Sequence, residues 1–252
     1  CVRHPRRYFP RMSAPAEVPD VAPPAAAPPA AAPAAASPSR LWVELAALYV
    51  GVPLALAFVL PPDAIWAVVA AGTLIALALL FATPGTRGAD LVRGPIFAAP
   101  GLVALFAATC AVVSSAAVLW LRPGAFLLLP RAVPELWLSI LVLYPILSAW
   151  PQEIMFRALF WRRYAGLFPS RATAYLANAA LFALAHLFLW NWPAILATFA
   201  GGLVFSWAYL HAGPPARRGR NLMSATLLHA IAGWALFTAG AGAFFYHGAV
   251  AR

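Results

Sequence analysis

PELWLSILVLYPILSAWPQEIMFRALFWRRYAGLFPSRATAYLANAALFALAHLFLW, residues 134–190, is apolar almost throughout, and how it is divided decides the fold. The only strong break is Pro169-Ser170, so the stretch reads as two antiparallel helical arms joined there. Glu153 lies sixteen residues before Pro169, and His186 sixteen after Ser170. At ~1.5 Å of rise per residue both groups stand ~24 Å from the turn, so an acid and an imidazole are expected to meet at equal depth. Asn178, Phe182 and His186 recur every fourth residue and line one face of the second arm. The first arm, taken straight from 134 to 168, would be ~52 Å long against a hydrocarbon core of ~30 Å. It must therefore protrude or bend, and Pro145 and Pro151 offer the kink. Residues 151–168 are either the end of that span or a short extra helix.

The rest of the chain resembles this stretch in composition. Of 252 residues, 63% are hydrophobic and only 10% charged, which excludes an ordinary soluble fold. Further apolar runs at about 41–60, 64–82, 95–121, 193–211 and 222–246 are each near the ~17–25 residues that cross a bilayer. The fold class expected is an all-α polytopic membrane protein, a bundle of about seven to eight transmembrane helices. Three regions follow: a basic, Ala/Pro-rich disordered tail over 1–40, N-terminal transmembrane helices over 41–131, and a C-terminal transmembrane core of catalytic type over 132–252.

All 17 basic residues are arginines, and they sit in the breaks between apolar runs, with no stripe suited to nucleic acid. With the N-terminus inside, fourteen of them fall on the cytoplasmic side, leaving only Arg122, Arg131 and Arg252 outside. The bias toward Ala, Pro and Arg points to a bacterial plasma membrane. The two cysteines, Cys1 and Cys110, form neither a disulfide framework nor a thiolate metal cluster.

Charged and polar groups within a bilayer cost at least ~2.5 kcal/mol on the most lenient scale and therefore mark function. Glu153, His186 and His229 are the foremost, with Gln152, Asn178, Asn191 and Asn221 beside them. Glu153 and Arg157 are four apart and form an ion pair on one helix face, with Phe156 and Phe160 drying it. A carboxylate and an imidazole in a shielded recess suit activation of water for attack on a peptide carbonyl. His229 and Asn178 are the donors available for the developing oxyanion. A glutamate and two histidines also suit a three-ligand zinc site, and the spacing alone leaves that reading open. No GxSxG elbow, HExxH or phosphate loop is present.

At these residues the sequence resembles the CPBP family, the CAAX-prenyl-protease and bacteriocin-processing glutamic intramembrane endopeptidases, over about residues 134–246. Among its bacterial branches it is most similar to the type paired with JDVT-CTERM sorting signals. The resemblance implies that Glu153 matches the second glutamate of the first motif and Arg157 its arginine. Phe182 and His186 match the second motif, and His229 the last histidine. Gln152 stands where the family has its first glutamate, usually assigned to water activation, and Gly233 where it has an amide or carboxylate. The function implied is endoproteolysis of a membrane-tethered peptide or protein by Glu/His-activated water, without a cofactor or metal. The expected partners are that substrate and the lipid bilayer. The alternatives are a catalytically silent peptide-binding or transport protein and a zinc-dependent intramembrane hydrolase.

Overall fold

The computed structural model describes residues 36–96, 99–212 and 220–245, with 62 and 243 described by backbone alone. Most of the expected tail, together with Arg217, Arg218 and Arg252, lies outside the described residues. Ser37 caps the first helix by accepting from the Arg40 amide, so residues 38–40 are helical.

The protein is an all-α polytopic membrane protein. Among the described residues, six helices are long and apolar enough to span: α1 (Pro38–Phe58), α3 (Pro100–Leu121), α4 (Pro134–Leu167), α5 (Arg171–Leu189), α6 (Trp192–His211) and α7 (Leu222–Ala239). A shorter apolar helix, α2 (Ile65–Phe81), joins α1 to α3. The structure thus gives about six candidate spans where the sequence suggests seven to eight, because α2 is shorter and residues 151–168 continue α4 without forming a helix of their own.

Large apolar side chains left uncovered by protein, such as Leu105, Val113 and Trp120 on α3, belong on the lipid side of such a bundle. The polar residues lie inward: Glu153, Arg157, Asn178, Ser206 and His229 are all buried. Small residues bring the helices together. A side chain at Gly202 of α6 would press on the Ala179 backbone of α5, and one at Gly233 of α7 would occupy the ring of Tyr144 on α4.

α4 is the irregular element. Proline lacks an amide proton, and at Pro145 the helix widens into a π-helical turn through Ala149. A second π-helical stretch runs over Ile154–Tyr164. A π-helix places more residues in each turn than an α-helix and so advances less per residue. The arm between Glu153 and the turn at Ser170 is therefore shorter than straight-helix arithmetic gives. That turn is where the sequence puts it, with Ser170 and Thr173 forming a reciprocal cap on α5.

Candidate active site

Glu153 sits on α4 between the two π-helical stretches, fully buried. Its Oε1 accepts from Nδ1 of His229 on α7 at 2.9 Å, and its Oε2 lies 3.2 Å from Nε of Arg157. The second contact falls short of hydrogen-bond alignment, so it is mainly coulombic. Arg157 spans toward α5 and α6: Nη1 donates to Asn178 Oδ1 at 3.1 Å, and the guanidinium lies over the Phe182 ring, 4.7 Å from its centroid. Nη2 has no hydrogen-bond partner among the described residues.

Asn178 locks this arrangement. Its amide nitrogen donates to the Phe156 carbonyl at 2.7 Å, and its oxygen accepts from Ser206 at 2.8 Å as well as from Arg157. Asn178 is fully buried, with its oxygen shared by two donors and one of its two amide protons given to Phe156. It orients the arginine that faces Glu153.

Among the described residues Glu153 makes no direct hydrogen bond to His186. The acid's imidazole partner is His229, and the Phe182 ring stands beside both histidines, 4.8 Å from the His186 ring and 5.6 Å from that of His229. Two local features displace the predicted contact. The π-helical stretch shortens the Glu153 arm, and His186 follows the last α-helical turn of α5, which ends at Leu184. His186 Nδ1 instead bonds the Phe182 carbonyl at 2.8 Å.

The two hydrogen bonds fix both tautomers. A carboxylate and a carbonyl can only accept, so each neutral imidazole donates from Nδ1 and carries its free lone pair on Nε2. Both rings border a cavity of about 730 Å³. Phe205 stacks on the His229 ring at 4.8 Å and an interplanar angle of 11°, holding its plane. Gln152, one residue from the acid, faces the cavity and donates to Ser148 at 2.9 Å. Tyr144 and Ser148 complete a polar stripe with it on α4. Neither residue was singled out from sequence, although the four-residue recurrence of Tyr144, Ser148 and Gln152 is a detectable signal.

The donor set does not fit a metal. Among the described residues no group of three His, Cys, Asp or Glu side chains converges on a common point. One Glu153 oxygen already faces a guanidinium, whose positive charge opposes a cation there.

Fold and site together define a multi-pass membrane protein with a buried glutamate–histidine pair whose imidazole borders a cavity between the helices. Residues 134–235, a segment that holds every residue of the site, match the family described as Type II CAAX prenyl endopeptidase Rce1-like. No curated protein and no solved structure matches the chain.

Proposed function

We propose that the protein is an intramembrane endopeptidase of glutamic type, hydrolysing a peptide bond in a membrane-tethered protein or peptide. The observation that carries this reading is the 2.9 Å bond between fully buried Glu153 and His229 Nδ1, with the same imidazole bordering the cavity. A water held at His229 Nε2 gives up a proton to that nitrogen as its oxygen bonds the scissile carbonyl carbon. Glu153 stabilises the imidazolium that results. The C–N bond then breaks and the leaving amine takes the proton back from His229. Arg157 holds Glu153 in place, Asn178 and Phe182 hold Arg157, and His186 Nε2 offers a second acceptor for the water.

The cavity walls favour a substrate that arrives through the bilayer, since they include Leu48, Leu56, Ile75 and Leu159. One face of the bundle supports the topology with the N-terminus inside. Arg163 at the end of α4 pairs with Glu44 near the start of α1, and Arg162 with Asp90 between α2 and α3. Arg171 at the start of α5 meets His211 at the end of α6. With α2 counted as a crossing, seven spans place these arginines in the cytoplasm of a bacterial cell. A sorting-signal substrate of the JDVT-CTERM kind fits that setting.

Glu153→Gln tests the reaction, using lipid-anchored, internally quenched peptide libraries in vesicles that carry the full chain. The amide keeps the shape of the carboxylate but cannot stabilise an imidazolium, so kcat should fall by about 10²–10⁴-fold. Addition of a chelator should leave the wild-type rate unchanged. An unaltered rate in Glu153→Gln removes the mechanism. Binding without cleavage by the wild type would identify a silent peptide-binding relative, the reading favoured by Gln152, whose amide cannot serve as a base.

A further inference from the structure

The site as described has bases but no assigned donor for the carbonyl oxygen under attack. Of the polar side chains that α4, α5 and α7 present to the cavity, His186 and His229 carry lone pairs on Nε2, which leaves Tyr144, Ser148 and Gln152. These three lie in order along α4. Gln152 donates to the Ser148 hydroxyl at 2.9 Å, and Tyr144 stands one turn before Ser148 on the same face of α4. Because the Ser148 oxygen accepts from Gln152, its own proton is available for the phenol oxygen. The phenol, which lines the cavity, can then turn its own proton into it.

The seat of Tyr144 is also specific. Its ring occupies the space that a Cβ at Gly233 would need, and the ideal Cβ position is 2.8 Å from the phenol oxygen. Gly233 lies one helical turn beyond His229, so the missing side chain allows the phenol to lie against α7 beside the imidazole. The Tyr144 and His229 ring centroids are 6.0 Å apart with an interplanar angle of 72°. Phe237, one turn further, meets the other edge of the tyrosine at 5.7 Å.

We propose that Tyr144 is a catalytic residue of this site, donating its phenol hydrogen bond to the scissile carbonyl oxygen as the tetrahedral intermediate forms. Gly233 makes room for it, and Ser148 and Gln152 are positioning residues that orient its proton. The proton stays on the phenol throughout, while the C–O bond forms and the C–N bond breaks by way of His229. The assignment rests on the hydrolase reading above and adds the electrophilic half of the site to it. It also gives Gln152 a role that a carboxylate could not fill, since an ionised acid has no proton to give Ser148.

The test is Tyr144→Phe in the full chain, assayed with the same lipid-anchored quenched peptides. The ring and its seat on Gly233 remain, so the melting temperature should hold while kcat falls about 10²–10³-fold, the usual loss for one oxyanion donor. KM should stay within about twofold, because the donor acts on charge that exists only in the transition state. Ser148→Ala, which loosens the phenol without removing it, should lower kcat by about tenfold with KM again unmoved. A phosphonate analogue of the cleaved peptide should bind Tyr144→Phe more weakly by the same factor as the kcat loss, and the uncleaved peptide should bind equally well. If wild type cleaves and Tyr144→Phe cleaves as fast, the assignment falls and the Glu153–His229 mechanism stands. If wild type cleaves nothing under any condition, both fall together. Equal loss of kcat and melting temperature in both variants would reduce Tyr144 to packing and overturn the assignment.

Discussion

Two ion clusters on the same helix, scarcely two turns apart, are built in opposite ways. At the end of α4, Arg163 grips both oxygens of Glu44, at 2.7 and 3.0 Å, and adds the Thr83 hydroxyl at 3.1 Å. Glu44 takes a further bond from Arg40 at 2.9 Å. Deeper in the bundle, Glu153 and Arg157 are both fully buried, meet off-axis at 3.2 Å, and leave two guanidinium nitrogens, Nε and Nη2, without a hydrogen bond among the described residues. The outer cluster has more bonds than it needs and lies near water. The inner one is paired just well enough to keep two charges in a medium that penalises them, and the remaining carboxylate oxygen is kept for an imidazole. Such an incomplete buried pair adds little net stability compared with apolar packing. Its retention on a π-helical segment is what a functional site requires.

The largest effect expected from breaking this contrast belongs to the inner arginine. Arg157→Met keeps the volume but leaves Glu153 charged and without its cation, and should cost about 3–5 kcal/mol of stability. The outer counterpart, Arg163→Met, should cost about 1 kcal/mol or less, since Glu44 retains Arg40. Restoring neutrality with Glu153→Gln beside Arg157→Met should recover much of the inner loss, and unfolding of the four variants in a single detergent reads the coupling. Equal losses at the two arginines would mean that the clusters are alike and that the inner one is only structural.

A smaller effect is expected where α4 meets α7. Gly233→Ala forces the new methyl against the Tyr144 ring, and overpacking of this kind costs about 1–3 kcal/mol. Because the two residues touch, Gly233→Ala combined with Tyr144→Ala should be less damaging than the sum of the single changes, a coupling of at least ~0.5 kcal/mol. Strict additivity would show that the ring moves aside and that the seat is not specific.

What could be read from the sequence follows the same divide. Long apolar runs give the spans, Pro169-Ser170 gives the turn that Ser170 caps, and a spacing of four gives the Glu153–Arg157 pair. All of these depend on short-range composition and spacing, which survive the change of helical pitch along α4. The partner of Glu153 was not legible, because depth counted at a constant rise fails across the π-helical stretch Ile154–Tyr164. Asn178 was correctly placed on the face with Phe182, yet its bonds to Phe156 and Ser206 depend on tertiary approach. Gly233 reads only as the place where the resembled family carries an amide or carboxylate, since the ring that packs there depends on α4 crossing α7, for which a single sequence carries no signal.

The smallest effect concerns Asp90, which lies outside the spanning helices and belongs to the outer cluster. Burial raises its carboxyl, but the bond from the Arg87 amide at 3.0 Å and the charges of Arg162 and Arg93 outweigh burial and hold it below the ordinary carboxylate range. A carboxyl whose folded value is depressed contributes stability that is fully present above its unfolded value, near pH 4, and is lost as pH falls through the folded value. Asp90→Asn should therefore destabilise by about 1 kcal/mol or less at pH 7. The gap between variant and wild type should close as the pH falls through the depressed folded value and the wild-type carboxyl is itself protonated. Added salt should narrow the same gap at neutral pH, because Arg93, one of the two arginines that lower Asp90, is exposed enough to be screened. A gap that persists unchanged in acid would locate the contribution of Asp90 in its bond to the Arg87 amide, and the outer cluster would then be held by backbone capping more than by charge.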